Sequence, residues 1–149
     1  MLPDLDSSRI DKHLNLRIAV VFAIFLSACS ATLQPPQSII VEALKLQINI
    51  TQSTIARTLE LEPTRDPEVS RIRLIDQGQI QLGQSKAVRL TGRFDWRLPG
   101  DQVYVDSLFE IFLQKGPKGQ SWRLARPVGS AGSLDQEWIT YPLGLDDLA

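Results

Sequence analysis

The pattern that most constrains the fold runs from Lys86 to Leu98. Val88, Leu90, Phe94, Trp96 and Leu98 alternate there with Arg89, Thr91, Arg93, Asp95 and Arg97. A strand sends successive side chains to opposite sides of a sheet, so this order makes one buried face and one wet face. Gly92 interrupts the apolar row, where a bulge or sharp bend would let the sheet curl. Turn signals at Gly83-Gln84-Ser85, Pro99-Gly100 and Gly116-Pro117-Lys118-Gly119 separate further strand-like runs and predict a four-stranded antiparallel meander.

The Pro99-Gly100 turn implies a register. With Leu98 facing Asp101, the inner face pairs Trp96 with Val103, Phe94 with Val105, Leu90 with Phe109 and Val88 with Ile111. The outer face then pairs Arg93 with Asp106 and Arg89 with Glu110, an agreement that a one-residue slip would destroy on both faces. Pro-Gly favours a type II turn. In the next hairpin Trp122 would face Leu113 and Leu124 would face Ile111, with Arg123 opposite Phe112 outside.

Ahead of the strands, Ile40, Ala43, Leu44, Ile48, Thr51, Ile55 and Leu59 recur at three- and four-residue steps. This spacing predicts a helix over residues 38–61 with Ser38 as N-cap and Glu42 near the first turn. Pro63 and Pro67 would stop it. Its β-branched residues weaken helix propensity, so packing on the sheet must hold it. After the last predicted strand, residues 130–149 have no clear period. Trp138, Ile139, Tyr141, Leu143 and Leu145 would cover an edge, close the open end of the core or stay mobile.

The one cysteine, Cys29, follows Leu26-Ser27-Ala28 and the apolar run Ile18 to Leu26, with Lys12, His13 and Arg17 upstream. A basic flank, an apolar stretch and small residues before a cleavage point form a secretory signal. The run is too short for a membrane-spanning helix, which takes about 20 apolar residues. Leu26, Ser27, Ala28 and Cys29 resemble the lipobox of bacterial lipoproteins. That resemblance implies cleavage before Cys29, lipid on its sulfur and new amino group, and anchoring to one leaflet of an envelope membrane. Asp4, Asp6 and Asp11 offset part of the basic flank. The chain would then divide into a signal peptide (1–28), a tether around Pro35-Pro36 (29–37), an α+β domain (38–129) and a C-terminal tail (130–149).

One helix followed by a curled meander resembles the α+β group with cystatin-like and nuclear-transport-factor-like folds, and small bacterial lipoproteins of that shape. The segments Phe109-Glu110-Ile111-Phe112-Leu113-Gln114 and Ser121-Trp122-Arg123-Leu124-Ala125 carry the resemblance. Members range from enzymes to binding modules, so shape alone transfers no activity.

The residue types narrow the chemistry. His13 is the only histidine and precedes the cleavage point, so the processed chain would hold no histidine base, triad or metal ligand. An acylated Cys29 could not act as a nucleophile. Neither a GxGxxG loop nor a Walker-type phosphate loop is present. No cofactor or metal is expected, and a net charge of −1 gives no general attraction to nucleic acid. Carboxylates remain: Asp76, Asp95, Asp106 and Glu110, two of them with ionic partners in the predicted register.

Leu108, Phe112 and Arg123 fall on the outer face among paired charges, where apolar side chains make either a protein contact or a bed for the tail. The expected function is therefore a nonenzymatic, membrane-anchored accessory lipoprotein that binds a partner protein or a second copy of itself. Two alternatives stand beside it: a small-molecule binder with its ligand between helix and sheet near Trp96 and Phe94, and an enzyme using Asp76 or Asp95.

Overall fold

The computed structural model describes residues 33–62, 65–119, 121–129 and 136–144. Among these residues one helix, α1 (Gln37–Thr58), precedes β1 (Glu68–Leu82), β2 (Ser85–Arg97), β3 (Tyr104–Lys115), β4 (Trp122–Val128) and β5 (Glu137–Leu143). The strands form one antiparallel sheet in sequential order. The fold is therefore α+β with five strands, not four. The fifth comes from the segment whose pattern gave no assignment: Ile139, Tyr141 and Leu143 alternate with Trp138 and Thr140, but both faces of the strand carry large apolar groups and no simple period shows.

Helix α1 lies on the inner face, where Ile40, Ala43 and Leu44 pack with Val88, Leu90, Phe94, Phe109, Ile111, Leu113, Trp122, Leu124 and Leu143. Its buried contacts concentrate in the first half, with Ile48 packed against the same core and Ala56 buried nearer the C-terminal end. Ile55 and Leu59, expected on the apolar stripe, are exposed. The helix starts after Pro36 without a side-chain cap, so Ser38 is not the N-cap. It ends before the prolines. Glu60 adopts a left-handed φ of 54°, the Leu61 amide donates to the Ala56 carbonyl at 2.8 Å and the Glu60 amide donates to the Arg57 carbonyl at 3.4 Å. This is a Schellman-type stop.

The β2–β3 faces are as the alternation requires, but the partners are displaced. Val88 faces Leu113, Leu90 faces Ile111 and Phe94 faces Ser107, two residues from the expected pairing. The Pro99-Gly100 turn forms as a type II turn, with the Asp101 amide donating to Leu98 at 3.0 Å and Gly100 at φ 88°. Residues 101–103 then extend the loop, and a bulge between Phe94 and Trp96 sets Val105 and Asp106 against Asp95. The β3–β4 hairpin is displaced in the same way: Leu124 faces Leu113, Trp122 faces Lys115, and Phe112 faces Ala125 in place of Arg123.

Gly92 is not itself at a bulge. It pairs regularly with Leu74 and Phe109. A Cβ there would collide with the Arg73 carbonyl and meet the Phe109 ring at 2.7 and 2.8 Å, so close approach explains the glycine. The bulges lie beside it on β1, at Arg71-Ile72 and at Ile75.

Candidate functional site

The outer face has two regions. Near the β1–β2 turn, Leu82, Ala87 and Ala125 form a small apolar cluster with Ile80, Phe112 and Trp138. The Trp138 ring meets Phe112 edge-on at 4.9 Å, so β5 covers one of the three residues expected to meet a partner. Arg123 is tied down as well: its Nε donates to Thr140 Oγ1 at 2.9 Å.

The other region is charged and organised by two bulges. Asp95 in β2 is fully buried although its strand position points outward, because arginine side chains close over it. Its Oδ1 accepts the Asp106 backbone N–H at 2.8 Å. Its Oδ2 has no well-aligned hydrogen bond among the described residues, and its charge is met by Arg71 Nε at 2.5 Å and, more distantly, through Arg73. Arg71 and Asp106 are both left-handed, with φ of 45° and 57°, and each sits at a bulge. One carboxylate thus fastens two strained strand positions on either side of it.

The amide of Asp106 is the largest influence holding the Asp95 carboxyl below its usual range, followed among the lowering effects by the charge of Arg71; burial opposes them in part. Asp106 in turn accepts from Arg73 and Arg93, both at 2.7 Å. Farther along, Arg89 pairs with Glu110 and lies 4.0 Å from Asp76, while Arg97 meets Glu68 at 2.6 Å. The pairs Arg93–Asp106 and Arg89–Glu110 expected from the sequence therefore form, but diagonally across the ladder.

These contacts limit the chemistry of the acids. Asp95 is an ionised carboxylate held by an amide and a guanidinium, which favours its charged form and leaves it no proton to give at neutral pH. Asp76 is exposed to solvent. Among the described residues no group of His, Cys, Asp and Glu is placed to hold a metal ion, and no helix is long and apolar enough to cross a membrane.

Leu108 stands apart. It is 70% exposed, the highest value among the large apolar side chains of the described residues, and Val105 is exposed to 62%. Both lie where β3 has lost a neighbour. β4 pairs with β3 only through Phe112–Lys115 and then continues with β5 alone. Among the described residues, Tyr104 to Ile111 have no partner on that side. The sequence marked Leu108 as outward-facing, but no local signal marks the divergence of β4.

Among the described residues, hollows adjoin β1. One of about 270 Å³ lies beside Trp96, Val69 and Val103, with Arg71 at its margin. Phe94 is not part of it, being packed edge-on against Phe109 in the core. The larger, of about 370 Å³, lies between the start of α1 and β1. Leu26, Ser27, Ala28 and Cys29 lie outside the described residues. No family model, curated protein or solved structure matches the chain.

Proposed function

We propose that this chain is a nonenzymatic lipoprotein of the bacterial envelope, anchored by lipid on Cys29, whose sheet acts as an accessory binding module for a partner protein. The Leu26-Ser27-Ala28-Cys29 signal supports the location. One helix laid against an antiparallel sheet is compatible with the cystatin-like shape expected of such lipoproteins. The observation that carries the binding reading is the exposed Leu108–Val105 stretch on the unpaired side of β3. A sheet edge with open ladder groups and protruding apolar side chains is a template for an added strand. The acids beside it, Asp106 and Glu110, are already committed to arginines of the same sheet, so little free charge opposes an apolar partner.

Crosslinking from position 108 in the lipidated chain, followed by mass spectrometry, tests this reading. A protein partner, or a second copy, should be captured, and Leu108→Asp should abolish capture while the sheet stays folded. Undiminished capture by Leu108→Asp would refute the β3 edge as the docking surface. The second reading, a small-molecule binder, draws its support from the hollow between α1 and β1.

A further inference from the structure

We infer that the cleft between the start of α1 and β1 is a binding site for a small, neutral, hydroxyl-rich ligand of the saccharide class. Its volume, about 370 Å³, falls within the range of about 300–1,000 Å³ typical of small-molecule sites. Ile40, Ile72 and Leu74 give it an aliphatic wall, and Gln34, Gln37 and Gln77 supply three carboxamides. Leu74 is 46% exposed on the face where Val88 and Leu90 are fully buried. The helix thus covers the middle of the sheet and leaves an apolar step open beside it.

The lining selects the class of ligand. Among the described residues it contains no charged side chain, so an ionic ligand would give up hydration without meeting a counter-charge there. A wholly apolar ligand would desolvate three amides without replacing their hydrogen bonds. Each carboxamide offers two donors and one acceptor, and a sugar hydroxyl both donates and accepts. The C–H face of a sugar ring suits Ile72 and Leu74. A peptide added as a strand fits less well, because the bulges at Arg71-Ile72 and Ile75 interrupt the row of ladder groups along this edge.

The test titrates the full chain, both lipidated and as Cys29→Ser, with glucose, N-acetylglucosamine and their dimers. Glucosamine and glucose 6-phosphate serve as charged counterparts, and an alkyl detergent as the apolar one. Amide shifts of Leu74 and Gln77 report binding. Neutral sugars should bind with Kd of about 1 mM or tighter, and the charged counterparts and the detergent about tenfold more weakly. Gln37→Ala and Gln77→Ala, both at exposed positions, should each weaken binding several-fold, and Leu108→Asp should leave it unchanged.

No response to any neutral sugar at about 10 mM, equal binding of charged sugars, preferential binding of the detergent, or indifference to both glutamine substitutions would overturn the inference. The Cys29→Ser chain keeps the cleft and lacks the lipid site. Failure to bind sugar and failure to acquire lipid are therefore read separately.

Discussion

Gly92 and Gly78 lie in adjacent strands of one sheet, yet alanine at the two positions should have opposite effects. At Gly92 the new methyl would lie 2.7 and 2.8 Å from the Phe109 ring and closer still to the Arg73 carbonyl, against an ordinary carbon–carbon separation of about 3.5–4.0 Å. The ring would have to move by roughly 1 Å. It has little room, because Phe109 is buried against Phe94. The carbonyl belongs to the β1 backbone beside two bulges and cannot rotate away. Overpacking of this kind costs about 1–3 kcal/mol, and the gain of about 0.4–1 kcal/mol from restricting the unfolded chain offsets only part of it. Gly92→Ala should lower Tm by about 4–8 °C at roughly 4 °C per kcal/mol. A methyl added at Gly78 would meet no atom within 4 Å, so Gly78→Ala should raise Tm by about 2–4 °C. Urea denaturation should show both as changes in midpoint at unchanged slope. A Gly92→Ala chain as stable as its parent, or equal destabilisation at the two positions, would refute the close-approach argument.

Trp138→Ala should expose Phe112 and destabilise the chain by about 1–3 kcal/mol, read by urea denaturation together with a rise in hydrophobic-dye binding. Glu60→Gly should relieve the left-handed helix stop and raise stability by on the order of 1 kcal/mol, visible as a higher urea midpoint. The Asp95 carboxyl is depressed in the folded state, so its contribution is complete above the ordinary carboxylate range of about 4 and is lost as pH falls below that toward the folded value. Stability measured against pH should therefore drop more steeply below about pH 4 in the parent than in Asp95→Asn, which should be less stable at neutral pH.

The extent to which this fold was legible depends on what each pattern can encode. Alternation along β2 defines which side of the sheet each residue occupies, and every inner residue from Val88 to Phe94 lies where the alternation puts it. Alternation does not identify cross-strand partners, because a two-residue displacement preserves both faces. That displacement arose from the longer loop after Gly100 and the extra residue at Val105-Asp106. Aspartate tolerates the left-handed conformation found at Asp106 better than most residues, but Arg71 carries no comparable signal, so the double bulge around Asp95 was hidden. β5 was obscured by Trp138 on the outer cluster and by Pro142, which suits an edge strand and otherwise reads as a breaker. Leu108 was legible as an outward apolar residue; the departure of β4 that exposes its edge was not.

Whether Cys29 carries the anchor is decided by intact-mass analysis of the chain purified from its native membrane. The expected product begins at Cys29 and carries added mass from acyl groups on its sulfur and amino group. A product that still carries residues 1–28, or one with an unmodified thiol at Cys29, would contradict the lipoprotein reading.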